Sequence, residues 1–114
     1  MELDWVSGAC MLVRREAFDR VGGFDPRFFL YWEDADLCRR MRSNGYRVRY
    51  HPSARVAHTV GQSSRTARRL AIRAFHQSAY LYYTLHVARS PWHPARWIAR
   101  FLLWVRCRWQ LSKG

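Results

Sequence analysis

Acidic residues are missing from the last two thirds of this sequence. All eight lie between Glu2 and Asp36, and none follows before the end of the chain at Gly114. Residues 1–58 carry ten arginines against eight acidic residues, a net charge of +2, whereas residues 59–114 carry nine arginines and one lysine, a net charge of +10. The second half therefore cannot neutralise its own charge, and this predicts an anionic partner: phosphate, nucleic acid or anionic lipid.

Cysteine and long apolar runs are also scarce. Cys10, Cys38 and Cys107 are too few and too scattered for a disulfide framework or a zinc site, and their odd number fits a reducing, cytosolic compartment. No stretch reaches the roughly 20 apolar residues that span a bilayer. The first four residues form no basic, apolar signal peptide. A cytoplasmic protein is expected, and because 49% of the residues are hydrophobic it is not a disordered one.

The pattern along the first half predicts short, mixed elements. Residues 5–13 are typical of a strand that contains the small residues Ser7-Gly8-Ala9, and glycine within a strand often marks the close approach of a ligand or another backbone. A short helix is expected over 14–21, stopped by two glycines. A second helix is expected over 33–44, with Leu37 and Met41 on its buried face, followed by a strand over 46–51.

The second half is predicted to be helical. One helix is expected from about Arg65 to Ala88, ended by Ser90-Pro91, and another from Pro94 to about Leu111. The whole order of elements is α/β, but so few strands make a poor independent sheet, so the chain is expected to be part of something larger.

The densest chemical signal is the run Glu33-Asp34-Ala35-Asp36 at the start of the second predicted helix. A helix N-terminus offsets the repulsion between these carboxylates, and a carboxylate beside Tyr31 and Trp32 is a candidate general base for a hydroxyl nucleophile. The same residues also fit a plain helix start in which Asp36 pairs with an arginine three or four residues later. His58 has a similar ambiguity, since it could be a metal ligand or an ordinary polar residue.

Six sequence blocks, in order and at regular spacing, resemble the C-terminal half of family 2 glycosyltransferases, and in particular the bacterial rhamnosyltransferase-type enzymes that build cell-surface polysaccharide. The blocks are Trp5–Ala9, Leu12–Phe18, Val21–Phe29, Glu33–Arg40, Gly45–Val48, and His58 with Gly61–Ser63. The resemblance implies an incomplete GT-A-like, acceptor-side half over residues 1–64, whose nucleotide-binding half is absent, followed by a basic, Trp-rich helical extension over 65–114.

The resemblance also implies roles for individual residues. Asp34 would be the general base, supported by Glu33, and His58 would bind a divalent metal, Mg²⁺ or Mn²⁺, expected only with the missing nucleotide-binding half. The residues expected to bind the acceptor are Trp5, Ser7, Gly8 and Trp32. Those expected at the donor's diphosphate are Gln62, Ser63, Arg65 and Arg68, although the arginines also fit a solvated basic face.

The function implied is that of a fragment of an inverting enzyme, inactive alone, which moves a sugar from a nucleotide-sugar donor to a hydroxyl of a polysaccharide or lipid-linked acceptor. The alternative is a non-catalytic basic module that binds anionic membrane or nucleic acid. Residues 95–111 interleave arginine with tryptophan and phenylalanine, which suits a helix at the inner face of the cell membrane or one packed on protein. Against nucleic acid, no recognised binding motif is present.

Overall fold

The computed structural model describes residues 1–59 and 67–113. The chain divides into two compact units. Unit 1 consists of Met1–Arg27 and the described part of Glu33–Val60. Unit 2 consists of Phe28–Trp32 and the described part of Gly61–Gly114. The predicted boundary between residues 64 and 65 falls outside the described residues and stays a prediction.

Two helices form most of unit 1. Helix α1 spans Arg15–Arg20 and helix α2 spans Glu33–Ser43, each within one residue of the predicted ends. Gly22 and Gly45, which follow the two helices, both have a φ of 83°. Glycine adopts this left-handed conformation without a steric cost, and this ends each helix.

The predicted strand over residues 5–13 is wrong. Strand β1 is instead Glu2–Leu3, and it pairs antiparallel with β2, Val48–Arg49, in the register Glu2 to Arg49 and Leu3 to Val48. Residues 8–10 form a turn. A strand needs a neighbour for its backbone groups, and in the described residues β2 offers only two positions to pair with. For the same reason the strand predicted over 46–51 shrinks to two residues.

The core of unit 1 lies between α1 and α2. Ala17, Leu37 and Met41 are buried, with Leu37 only 1% exposed, and partly buried apolar side chains, including Val13 and Tyr46, pack against them. The predicted buried face of α2 is therefore confirmed. Burying a side chain such as leucine or methionine contributes about 1.5–3 kcal/mol, so this core stabilises the unit.

A buried ion pair ties α2 to the end of α1. Asp36 is 1% exposed, and its Oδ2 accepts a hydrogen bond from Nε of Arg40 at 2.8 Å and lies 2.7 Å from Nη2 in an ion pair. Nη1 of Arg40 donates to the carbonyl of Val21 at 2.7 Å. Asp36 therefore has the structural role that the i, i+4 spacing suggested. Asp34 differs, because it accepts hydrogen bonds from backbone N–H groups.

Cys38 offers a simple test of this packing. Its side chain is buried, its Sγ lies 3.9 Å from the carbonyl of Val6, and burial raises the pKa of the thiol because the thiolate loses its water. Since the thiolate is the nucleophile, we expect iodoacetamide at about pH 8 to label exposed Cys10 readily and to label Cys38 only after denaturation. Mass spectrometry of digests reads both sites. Equal labelling rates in the native protein would contradict the packing of α2.

Unit 2 is built on a pair of helices. Helix α3 spans Arg68–His86 and helix α4 spans Pro94–Ser112, which confirms the predicted final helix. Proline opens α4, and Nδ1 of His93 accepts a hydrogen bond from the N–H of Ala95 at 3.1 Å as an N-cap. The predicted start of the first helix, at Arg65, lies outside the described residues.

Arg96 joins the two helices at their shared end. Its guanidinium donates to the carbonyls of Ala88 at 2.7 Å, Arg89 at 2.8 Å and Thr84 at 3.1 Å. The last carbonyls of a helix have no partner within the helix, so one arginine of α4 satisfies several polar groups at the end of α3. The connection between the helices is thereby held in place.

The outer face of α4 is apolar and uncovered. None of its residues is buried, and its large exposed apolar side chains are Trp97, Ile98, Phe101, Leu102, Trp104, Val105 and Trp109. Within the described parts of the chain, no helix is both long enough and apolar enough to cross a membrane.

Candidate functional site

Asp34 is held by backbone donors on both of its oxygens. It is the second residue of α2, and its Oδ2 accepts a hydrogen bond from the N–H of Gly8 at 2.7 Å, while its Oδ1 accepts one from the N–H of Ala35 at 2.7 Å. Gly8 is 26 residues away in the sequence. Two short bonds from the backbone orient the carboxylate without using another side chain, which is the arrangement that a fixed proton acceptor needs.

Gly8 is required by this contact. A Cβ built on Gly8 would lie 3.3 Å from Cβ of Asp34 and 3.5 Å from its Oδ2. Few real Cβ contacts are as short as 3.3 Å, so any side chain here would push the carboxylate away. The sequence predicted a close approach at this glycine, but not that the approaching group is the Asp34 side chain.

Two other residues of the same loop were also expected at the acceptor. Trp5 is 50% exposed, so its ring is available to a ligand. Oγ of Ser7 accepts a hydrogen bond from the N–H of Ala9 at 3.3 Å, which stabilises the turn that presents Gly8. Their acceptor-binding role stays a prediction.

Glu33, directly before Asp34 in α2, has a buried carboxylate oxygen, Oε2, with no hydrogen-bond partner among the described residues. A buried acceptor without a donor costs about 1–3 kcal/mol, and such groups in proteins call for an explanation, such as an unseen water, an ion or a ligand. Glu33 was expected to support Asp34. Its unpaired oxygen can accept a hydrogen bond from a hydroxyl group of a bound ligand.

Trp32 belongs to unit 2, where the segment Phe28–Trp32 packs on α3. The Trp32 ring lies 5.3 Å from that of Tyr82 and 5.8 Å from that of Phe75, and Oγ of Ser78 donates to the carbonyl of Leu30 at 2.8 Å. The ring contacts of Trp32 are therefore largely with protein. Its Nε1 is buried without an acceptor among the described residues.

Backbone strain lies immediately before Glu33. Tyr31 and Trp32 both have a φ of 66°, which is rare for bulky residues and costs about 1–3 kcal/mol each. Strain of this kind persists only where the surrounding packing enforces it, and it is concentrated at functional sites. No sequence pattern indicated it, because aromatic residues disfavour this conformation.

Comparison with known proteins identifies the family. The sequence model described as "Glycosyltransferase like family 2" matches residues 2–86. The chain belongs to glycosyltransferase family 2. It is rhamnosyltransferase-like, since it is 42% identical over 104 residues to an N-acetylglucosaminyl-diphospho-decaprenol L-rhamnosyltransferase of Mycobacterium tuberculosis, covering 90% of this chain and 33% of that protein.

Other relatives agree with this assignment. Rhamnosyltransferase WbbL of Escherichia coli K12 is 39% identical over 80 residues, which are 70% of this chain and 30% of that protein. The O-antigen biosynthesis protein RfbC of Myxococcus xanthus is 38% identical over 60 residues, 53% of this chain and 5% of that protein. No solved structure matches. The chain spans about a third of the length of the two rhamnosyltransferases.

Members of family 2 commonly use a divalent metal, but the described residues do not fit one. His58, the predicted ligand, is exposed. In residues 1–59 and 67–113, no group of three or more histidine, cysteine, aspartate or glutamate side chains could hold a metal ion. One exposed imidazole does not make a site for Mg²⁺ or Mn²⁺, which prefer several oxygen ligands.

Of the four residues predicted to bind the diphosphate, the structure describes one, Arg68. Gln62, Ser63 and Arg65 lie outside the described residues. Arg68, the first residue of α3, donates from Nη2 to the carbonyl of Gln110 in α4 at 3.3 Å. Part of its guanidinium is therefore used within unit 2, and its role at the diphosphate stays a prediction.

Proposed function

We propose that this chain is the acceptor-side part of an inverting glycosyltransferase, which transfers a sugar from a nucleotide-sugar donor to a hydroxyl of a lipid-linked or polysaccharide acceptor. The observation that carries the proposal is the carboxylate of Asp34, which backbone N–H groups hold on both oxygens at 2.7 Å. The names of the relatives, two rhamnosyltransferases and an O-antigen biosynthesis protein, support the reaction class.

In the proposed mechanism, Asp34 acts as the general base. Each carboxylate oxygen keeps a second lone-pair direction beyond the backbone bond it accepts, and one of these takes the proton of the acceptor hydroxyl. The hydroxyl oxygen then attacks the anomeric carbon while the nucleoside diphosphate leaves from the opposite face, which inverts the configuration. A positioned base of this kind contributes about 10²–10⁴-fold to the rate.

Glu33 is proposed to assist by binding the acceptor rather than by taking its proton. Its unpaired Oε2 can accept a hydrogen bond from a second hydroxyl of the acceptor sugar. Such a contact would turn the reacting hydroxyl toward Asp34. Trp5 and Ser7 are proposed to complete the acceptor site in unit 1, with the half-exposed indole of Trp5 as a surface on which a sugar ring can stack. An acceptor-binding role for Trp32, whose ring packs on Phe75 and Tyr82 in unit 2, stays a prediction.

Donor binding is proposed to require the nucleotide-binding half of a GT-A-like domain, in addition to the residues of this chain. A cavity of about 540 Å³ opens on unit 1, and its wall combines Arg14, Arg47 and Arg49 with apolar side chains. Leu12, one of these apolar side chains, is fully exposed. Apolar surface of this kind supports packing against further protein. We propose that residues 1–64 are an incomplete GT-A-like half, that 65–114 are its helical extension, and that any divalent metal binds only with the nucleotide-binding part.

The enzyme is proposed to work at the cytoplasmic face of the cell membrane. The support is helix α4, whose apolar side chains are exposed and whose arginines have no acidic neighbours in the sequence. Helices with this composition lie in the interface of anionic membranes, where apolar burial adds to Coulomb attraction. A lipid-linked acceptor would be met at the same surface.

The proposal is tested by comparing the isolated chain with a chimera in which it replaces the matched third of the mycobacterial relative. We expect no transfer from a nucleotide sugar by the isolated chain, because the donor is not bound, and measurable transfer by the chimera. Product formation is followed by mass spectrometry with a synthetic lipid-linked acceptor. Turnover by the isolated chain would contradict the proposed incompleteness, and a folded, donor-binding chimera without transfer would contradict the proposed function.

A further inference from the structure

A cavity of about 270 Å³ lies between α3 and α4, within unit 2. Helix α3 contributes Arg73 and Tyr80 to its wall, and α4 contributes Arg100. The remaining wall is mainly apolar and includes Trp104 and Cys107. The cavity therefore combines two guanidinium groups and a phenol with an apolar surface.

The two arginines of this cavity are free to bind a ligand. Neither Arg73 nor Arg100 has a hydrogen bond, ion pair or ring contact with any described residue. Other arginines of unit 2 are used internally: Arg96 donates to three carbonyls, and Arg106 lies 5.6 Å from the centre of the Phe75 ring. The sequence offers the two free arginines no acid at all after Asp36, so their counter-charge has to come from outside.

His76 adds a second unsatisfied group to the wall. Its side chain is only 5% exposed, and its Nδ1 lies 2.7 Å from the carbonyl of Ile72. Because a carbonyl can only accept, Nδ1 carries the proton of that bond. The other ring nitrogen, Nε2, is buried without a partner among the described residues. Buried polar atoms are nearly always paired, and with the proton on Nδ1 this nitrogen is an acceptor, so it calls for a donor such as the O–H of a water in the cavity.

We infer that this cavity binds the phosphoryl group of an anionic lipid. Arginine pairs with phosphate through two parallel N–H donors, which makes it the preferred side chain for this group. Sites for whole drug-sized ligands measure about 300–1,000 Å³, so a cavity of about 270 Å³ has room for a head group but little more. The hydrocarbon part would then lie on the adjacent apolar face of α4, where Phe101 and Trp104 are exposed.

The lining of this cavity lies within unit 2 and includes none of the residues proposed for sugar transfer, so its occupation does not depend on that reaction. The inference rests on the proposed membrane association and adds to it the residues that would bind the lipid phosphate. A diffuse attraction between a basic helix and an anionic surface would use all exposed arginines alike, whereas a cavity site depends on the two that line it.

The test uses Cys107, in the cavity wall, as a reporter in the 114-residue protein with Cys10→Ser. The probe is dihexanoyl phosphatidic acid at concentrations where it stays monomeric, with dihexanoyl phosphatidylcholine and inorganic phosphate as separate arms. We expect the phosphatidic acid to slow alkylation of Cys107 at lower concentration than either of the others. Isothermal titration calorimetry gives the affinity directly.

Matched double variants decide where the lipid binds. Arg73→Gln with Arg100→Gln should weaken binding about 25-fold, at roughly fivefold for each arginine. Arg69→Gln with Arg108→Gln removes the same charge from the same two helices outside the cavity, and should leave the affinity and the protection of Cys107 nearly unchanged. Circular dichroism checks that all variants fold.

Equal losses in the two double variants, or no protection of Cys107 by phosphatidic acid, would overturn the inference. Protection by inorganic phosphate at the same concentration as by the lipid would overturn the assignment to a lipid. Since no arm measures turnover, a failure here is distinguishable from a failure of the proposed transferase activity.

Discussion

Replacing Asp34 by asparagine in an active chimera is expected to lower kcat by about 10²-fold or more, the low end of what a general base contributes. Asparagine has nearly the same shape, and its carbonyl oxygen can still accept a hydrogen bond from the N–H of Gly8, which now donates to Oδ2 at 2.7 Å. The amide cannot accept the proton of the acceptor hydroxyl. We therefore expect kcat to fall while the affinity for the donor changes little.

Asp4→Asn is the matched control for this experiment. Asp4 pairs with Arg42 at 2.7 Å, but its side chain is 84% exposed, so the substitution removes the same charge from the same unit at little cost to stability. Its kcat should stay close to that of the parent chimera. An Asp34→Asn chimera that keeps its activity would exclude Asp34 as the base, whatever the control shows.

Gly8→Ala is expected to lower kcat of the chimera about tenfold with little change in KM for the donor. The added methyl group would lie 3.3 Å from Cβ of Asp34, so the carboxylate has to shift by a few tenths of an ångström. A displacement of about 1 Å in a reacting group costs about 10²-fold, and a smaller shift costs correspondingly less. The defect should therefore be in the chemical step, and kcat and KM from initial rates separate the two.

A purely structural role for Gly8 predicts a different result. In that case Gly8→Ala would lower the melting temperature and the yield of folded protein, while the folded fraction kept its kcat. Cys10→Ala, an exposed position two residues further along the same loop, controls for changes in the loop itself. A folded Gly8→Ala chimera with the kcat of this control would refute the positioning role.

The helices could be predicted from the sequence because their signals are local. Apolar residues four positions apart, as at Leu37 and Met41, and the glycines that end α1 and α2 act within a few residues, and the structure confirms them. The strand over 5–13 could not be excluded in the same way. Whether a segment becomes a strand depends on a partner elsewhere in the chain, and β2 pairs with the two residues of β1 rather than with residues 5–13.

The candidate site was predictable only as a set of residue types. The carboxylates at 33, 34 and 36 stand out in the sequence, and the i, i+4 spacing to Arg40 suggests a structural role for Asp36, but nothing local separates the roles of Glu33 and Asp34. The structure separates them, since Asp34 accepts a hydrogen bond from Gly8, 26 residues away, while Glu33 keeps an oxygen without a partner among the described residues. The strained backbone at Tyr31 and Trp32 was also beyond prediction, because it opposes the preference of both residues and persists only through packing on α3.

By itself, the sequence determined the helices, the family and the separation of charge, which leaves residues 37–114 without an acid. These properties depend on residue identity and short-range spacing. Only the tertiary structure decided which groups meet: the N–H of Gly8 with the Asp34 carboxylate, and Arg73 with Arg100 at one cavity. The physical reason is that such contacts join residues 26 or more positions apart, and the free energy that selects them comes from burial and hydrogen bonding in the folded chain rather than from local preference.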